Sequence, residues 1–270
     1  MTALTHALLR DYADTFRTYG SLEGRKVWFL GLEEGGGANL EEAGRKLSQW
    51  HEHGRESSIG LTAPELDEAH RDSRFLSSAH GPVKLQTTWA NQLRVWLGMR
   101  GEPLDNEVIR RLQASEHGQM DGPTCLMELF PLPCRKDGAW IYAQVPDNPS
   151  ATGPNVFASK KGYREHYLPR RLAKLAELVR EHRPLALVCT GLTYGERVLE
   201  SLGVKDCETP DLGLPETERR AKIGYVGDTV VAVCSHPAQR AKGPTNEFYH
   251  RLGRAIADRA VHDEVPAKAA

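Results

Sequence analysis

Paired cysteines are missing from this sequence. Its five cysteines are odd in number and contain no C-x-x-C pair: Cys125, Cys134, Cys189, Cys207 and Cys234. Neither a disulfide framework nor a paired-cysteine metal site is therefore expected. His51 and His53 could bind a metal together, but no third ligand stands at a suitable spacing. We expect no metal and no cofactor.

Long hydrophobic runs and a strong net charge are also missing. The apolar runs are far too short to span a bilayer, and the N-terminus lacks a basic stretch followed by an apolar core. The sequence therefore predicts a cytoplasmic protein without a membrane partner. A formal net charge of −1 excludes the strongly basic character of many non-specific nucleic-acid binders. Local basic pairs, such as Lys160-Lys161 and Arg170-Arg171, could still converge into a basic stripe.

The chain is long enough for one large domain. Its 270 residues are 40% hydrophobic, which suffices for a sizeable core. We predict a single domain over residues 1–262, with a polar insertion near 51–82 and a long loop near 131–158. Residues 263–270 are predicted to form a flexible tail.

Short apolar segments alternate with amphipathic segments along the chain. Strands are predicted within 26–37 and at 125–130, 185–190, 223–226 and 229–234, the last two as a hairpin. Helices are predicted at 4–19, 39–50, 84–98, 107–117, 163–182, 194–202 and 245–260. This alternation predicts an α/β fold, a three-layer α/β/α arrangement around a mainly parallel sheet of about four strands.

Charged side chains stand where the predicted strands end. Glu33 and Glu34 follow the first buried strand and precede three glycines, Glu128 lies in the second strand, and His236 comes just after the last. The carboxyl ends of parallel strands share one edge of a sheet, so these side chains can meet there. The two acids and the glycines would also suit a solvated loop. A dinucleotide site is excluded because the G-x-G-x-x-G spacing is missing.

The sequence motifs at these strand ends, taken in chain order, resemble those of the uracil-DNA glycosylase superfamily. Residues 31–35, Gly-Leu-Glu-Glu-Gly, are similar to the family's first motif, in which a strand-end glycine precedes a water-activating residue. Residues 125–135 are similar to the strand that carries the family's base-reading asparagine and then enters a Pro-containing basic loop. Residues 235–238, Ser-His-Pro-Ala, match the family's His-Pro-Ser or His-Pro-Ala signature. The resemblance implies a uracil-DNA glycosylase-like fold and an enzyme that flips a nucleotide out of DNA.

The sequence departs from the family at three positions. The proline of the first motif is replaced by Glu34, and the position of the base-reading asparagine holds Glu128. Gly35 stands where some members place a bulky residue against the C5 edge of uracil. These departures argue against ordinary uracil excision. The clustered cysteines of the iron–sulfur branches are absent, so no iron–sulfur cluster is expected.

The resemblance also implies roles for these residues. Cleavage of an N-glycosidic bond leaves positive charge on the sugar and negative charge on the departing base, so the site needs an anion near C1′ and a donor near O2. Glu33 suits the first role and could hold the attacking water, with Glu34 in that role if the register differs by one. His236 suits the second. The predicted DNA contacts come from the strand end and the loop that follows it: Ser235, Arg240 and Lys242.

Glu128 is the candidate for substrate specificity. An ionised carboxylate only accepts hydrogen bonds, which suits the exocyclic amine of cytosine and repels O4 of uracil. Gly35, Gly36 and Gly37 leave space for a C5 substituent, and Phe130 completes the predicted base-binding set. The hypothesis is excision of a C5-modified cytosine, such as glucosylated hydroxymethylcytosine in phage DNA, as in antiviral glycosylases that resemble this family. Glu128 could instead form a strand-end salt bridge.

Other functions stay open. One is a uracil or damaged-base repair glycosylase of the same fold, and another is a non-catalytic nucleic-acid-binding module on the same scaffold. A third is hydrolysis of a small glycoside or nucleoside through paired carboxylates. The predicted partner is DNA, and the predicted protein is a monomer and a monofunctional glycosylase that leaves an abasic site. The base could stack on any of four aromatic residues: Trp50, Trp89, Phe130 or Trp140.

Overall fold

The computed structural model describes residues 4–63, 66, 73–79, 81–134, 140–146, 155–215, 221–235 and 245–260. In these ranges the α-helices are α1 His6–Asp14, α2 Leu40–Glu52, α3 Thr87–Met99, α4 Asn106–Ser115, α5 Lys160–His182, α6 Leu192–Leu202 and α7 Asn246–Ala257. The strands are β1 Thr18–Tyr19, β2 Val27–Glu33, β3 Ser58–Ile59, β4 Thr124–Phe130, β5 Ala186–Thr190, β6 Ala221–Val226 and β7 Thr229–Cys234. A short 3₁₀ helix covers Ile141–Gln144.

The strands form one mixed sheet in the order β3-β1-β4-β2-β5-β7-β6. The four central strands, β4, β2, β5 and β7, run parallel to one another. The predicted α/β class is confirmed, but the expectation of about four strands is wrong because three antiparallel or edge strands extend the sheet to seven. At one end, β6 pairs antiparallel with β7 through the predicted hairpin, in which Val226 lies opposite Thr229.

The other edge of the sheet was not predicted. The apolar spacing of residues 4–19 predicts a helix as far as Tyr19, yet α1 ends at Asp14. Tyr19 instead pairs with Leu126 of β4. The polar segment 51–82 contributes β3, which pairs in parallel with β1. Each of these two edge strands has only two residues, too few for a period of two to appear in the sequence.

Helices cover both faces of the sheet, and each face has its own hydrophobic core. The first face packs α1, α2, α5 and α6 against strand residues that include Trp28, Leu30 and Met127. The second packs α3, α4 and α7 against residues that include Phe29 and Val188. Because the central strands are buried on both faces, they are almost continuously apolar until they end. The polar and charged side chains of these strands therefore lie at or near the strand ends.

None of the helices in the described ranges combines the length and the apolar character needed to cross a membrane.

Candidate active site

Glu33, the last residue of β2, forms two ion pairs. Its Oε1 accepts a hydrogen bond from Nε of Arg164 at 3.0 Å, and Nη2 of Arg164 donates to the same oxygen. Its Oε2 lies 2.8 Å from Nζ of Lys160. The Glu33 side chain is 14% exposed, so it is shielded from bulk water but still reachable from outside. The end of β2 therefore presents a carboxylate between two cations.

Both cations come from the first turns of α5. Ser159 caps this helix by accepting a hydrogen bond from the backbone N of Gly162 at 3.0 Å. Lys160 and Arg164 are four residues apart, which places them on the same side of the helix. The Arg164 guanidinium lies 5.6 Å from the centre of the Phe130 ring, close enough for a cation–π contact. Phe130, predicted to contact the base, is fully buried beneath Arg164.

Glu34 turns away from Glu33 into a separate buried network. Its carboxylate accepts hydrogen bonds from the hydroxyls of Tyr12 and Tyr19, each at 3.0 Å, and from Nζ of Lys46 at 2.6 Å. Burial alone would raise the pKa of Glu34, but the positive charges of Lys46 and Arg17 hold it below its ordinary value. The structure therefore places the predicted second catalytic acid in an ionised, fully partnered position.

Glu128 lies on the strand next to β2, directly opposite Gly31. A methyl group at Gly31 would lie 2.1 Å from Oε2 of Glu128, so the missing side chain makes room for the carboxyl group. That oxygen is buried and has no hydrogen-bond partner. Burial, followed by the charges of Glu34 and then Glu33, raises the pKa of Glu128 to about 8. The alternative of a strand-end salt bridge has no support, because none of the described cations pairs with this carboxyl group.

The glycine turn after Glu34 is held by the start of α2. Glu42 accepts hydrogen bonds from the backbone N of Gly37 at 3.1 Å and of Ala38 at 2.9 Å. A side chain at Gly37 would collide with the backbone of Pro133, in the loop that follows β4. A side chain at Gly35 would meet nothing within 4 Å. The turn is thus fixed at its far end and open at Gly35, beside the two acids.

Ser235 directly follows β7 and is the last described residue before 245. Its side chain is buried, its Oγ has no partner, and its carbonyl oxygen accepts a hydrogen bond from the Tyr249 hydroxyl at 3.1 Å. In the sheet only β5 separates β7 from β2, so the two strand ends are about 10 Å apart on the same edge. His236, Arg240 and Lys242, which follow in the sequence, lie outside the described residues.

Of the other residues singled out from the sequence, several have structural roles. Trp50 is almost fully buried, and Trp140 stacks on Tyr163 with ring centres 5.2 Å apart. Arg171, one member of a basic pair, is buried and donates to the carbonyl oxygens of Leu129 at 3.0 Å and Glu128 at 2.8 Å. Within the described ranges, no cluster of His, Cys, Asp and Glu side chains is arranged to hold a metal ion.

The cations that surround the two acids were not predicted from the sequence. Lys160 stood out only as a member of a basic pair, and Arg164 and Lys46 did not stand out at all. The i, i+4 spacing of Lys160 and Arg164 indicates that both side chains lie on the same side of a helix, and it was the available signal for this pair of cations. Which strand end this helix would face depends on tertiary packing, and no local pattern in the sequence encodes it.

Comparison of the chain with protein-family models found no match, and neither did comparison with curated proteins.

Proposed function

We propose that this protein is a DNA glycosylase that excises a C5-modified cytosine from DNA. The observation that carries the proposal is the placement of Glu33 and Glu128 on neighbouring parallel strands, at the carboxyl edge of the sheet. This edge is where open α/β sheets bind their ligands. The resemblance of the strand-end motifs to the uracil-DNA glycosylase superfamily supplies the reaction, and the geometry of the two acids supports it.

In the proposed reaction, Glu33 acts on the sugar side of the glycosidic bond. Each oxygen of an ionised carboxylate has two lone pairs, so contacts to Arg164 and Lys160 leave Glu33 able to accept a hydrogen bond from a water molecule. The water oxygen attacks C1′ as the bond from C1′ to the base breaks, and Glu33 stabilises the positive charge on the sugar. The electron pair of the broken bond leaves with the base, and Glu33 accepts the proton that the attacking water loses.

The departing base needs a donor near O2, and His236 is proposed for that role. The residue before it, Ser235, lies at the edge of the sheet that also carries Glu33. Lys160 and Arg164 are proposed to contact phosphates that flank the flipped nucleotide, since most contacts of DNA-binding proteins go to the backbone. Arg240 and Lys242 keep their proposed part in holding the DNA.

Glu128 is proposed to contact the exocyclic amine of the cytosine. Its raised pKa refines the hypothesis drawn from the sequence, which assumed an ionised carboxylate at neutral pH. The amine can donate to the carboxyl group in either protonation state, whereas only the ionised form repels O4 of uracil. Discrimination against uracil should therefore be weaker near neutral pH than above pH 8. The open space at Gly35 and the exposure of Gly36 are consistent with a substituent on C5 of the base.

The proposal can be tested with duplexes that contain one glucosylated hydroxymethylcytosine at a defined position. The wild-type protein should create an alkali-sensitive abasic site at that position. Glu33→Gln should slow the reaction by about 10²-fold or more, because it removes the negative charge near the sugar. Glu41→Gln is the matched control, since Glu41 is an exposed acid at the start of α2. Equal rates for the wild type and Glu33→Gln would refute the proposed role of Glu33.

A further inference from the structure

A cavity lies beside the Glu34 network, on the side of β3. The enclosed part of the cavity has a volume of about 40 Å³, and the space that also includes its solvent-open mouth has about 440 Å³. Its polar lining includes Arg17 and Lys46, and its apolar lining includes Trp50 and Ile59. Small-molecule sites commonly combine an apolar wall with a few polar groups in this way. Trp50 comes from α2 and Ile59 from β3, so the unpredicted edge of the sheet forms one wall.

Among the described residues, positive charge exceeds negative charge at this cavity. Arg17 and Lys46 are both cations, and the carboxylate between them, Glu34, is a single anion. Tyr12 and Tyr19 also contact Glu34, but burial raises the pKa of both hydroxyls, so they stay neutral. Among the described residues, the network therefore carries a net charge of +1, which favours the binding of an anion beside it.

Arg17 has an unused donor. Its Nη1 donates to the Tyr12 hydroxyl, and its guanidinium lies 4.8 Å from the centre of the Tyr12 ring. Its Nε, however, is buried and has no hydrogen-bond partner. Buried polar groups are nearly always hydrogen-bonded in folded proteins, so this guanidinium nitrogen in the cavity wall is available to hold a ligand. Glu56, an acid of the lining, is exposed at the rim, where solvent screens its charge.

We infer that this cavity binds a small organic anion, with Arg17 and Lys46 holding its carboxylate or phosphate group and Trp50 and Ile59 contacting its apolar body. Arginine suits either acid because its planar group can donate two parallel hydrogen bonds. Neither Glu33 nor Glu128 lines this cavity, so anion binding here does not depend on whether the protein cleaves DNA.

Calorimetry with small probes tests the inference on the full chain. Phenyl phosphate and benzoate should each bind at least about tenfold more tightly than benzyl alcohol, which has the same ring but no charge. Equal binding of benzyl alcohol would overturn the inference. Displacement of phenyl phosphate by a single-stranded oligonucleotide at the same phosphate concentration would also overturn the inference. Arg17 and Lys46 would then be part of a surface that binds the DNA backbone.

Three variants localise the binding. Arg17→Gln should weaken phenyl phosphate binding about tenfold or more, and Arg17→Lys, which keeps the charge, should weaken it less. Arg110→Gln, on an exposed ion pair of α4, is the matched control and should bind as the wild type does. Unchanged binding in folded Arg17→Gln would contradict the assignment, with circular dichroism as the check on folding.

Discussion

The carboxyl group of Glu128 occupies the space that a side chain at Gly31 would fill on the neighbouring strand. The two residues are direct neighbours across β2 and β4, so the glycine of the first motif is what allows a buried carboxyl group in the second. A strand-end glycine and an acid 97 positions later are thus parts of one arrangement. If the proposed function is correct, that arrangement decides which base the site accepts.

Gly31→Ala should therefore act through Glu128. The added methyl group displaces the carboxyl group, which should lower the free energy of unfolding by about 1–3 kcal/mol and slow base release. The effect on stability should largely disappear in a Glu128→Ala background, where the space is free. Gly35→Ala is the matched control, because nothing lies near the added atom. Urea denaturation of these variants measures the coupling, and additive effects of Gly31→Ala and Glu128→Ala would contradict it.

The raised pKa of Glu128 predicts a pH dependence of stability. In the unfolded chain this group loses its proton near its ordinary value of 4.5, while the folded protein keeps the proton until about pH 8. Stability should therefore fall as the pH rises from about 4.5 to 8, by up to about 1.4 kcal/mol per pH unit from this residue.

Glu128→Gln should remove that part of the dependence and should be more stable than the wild type above pH 8. Glu41→Gln, the exposed control, should follow the wild-type curve. Denaturant midpoints measured every half unit from pH 5 to about 9 provide the comparison. Parallel curves for the wild type and Glu128→Gln would show that Glu128 is ionised in the folded state.

The buried position of Glu34 predicts sensitivity to the loss of Lys46. Lys46→Met removes the nearest positive charge from a buried carboxylate and should lower stability at pH 7 by about 1–3 kcal/mol. Because the folded pKa of Glu34 is depressed, its contribution is present above its ordinary value and is lost as the pH falls below it. Acid unfolding of Lys46→Met should therefore begin at a higher pH. Lys161→Met, at an exposed i, i+4 pair, should change stability by no more than about 0.5 kcal/mol.

Much of the central fold could be predicted from the sequence because its strands are buried on both faces. The apolar runs of β2, β4, β5 and β7 stand out from the helices between them, and their alternation indicates a parallel core. The two-residue strands β1 and β3 could not be predicted, since their pairing comes from long-range packing rather than from a local pattern.

The acids of the candidate site could also be predicted, but their surroundings could not. The sequence places Glu33 and Glu34 side by side, yet one meets cations from α5 while the other meets Lys46 of α2 and two tyrosine hydroxyls. Adjacent residues at a strand end point in different directions, and their partners come from three different helices and the sheet edge. The pKa of Glu128 likewise depends on burial and on neighbouring acids that only the folded chain assembles.

Mass spectrometry of the free base tests the central proposal most directly. The protein would be incubated with DNAs that contain cytosine, hydroxymethylcytosine, glucosylated hydroxymethylcytosine or uracil, and the released small molecules would be identified. We expect release of glucosylated hydroxymethylcytosine from wild-type reactions and its loss in Glu33→Gln. Release of uracil alone, or of no base from any of these DNAs, would contradict the proposed function.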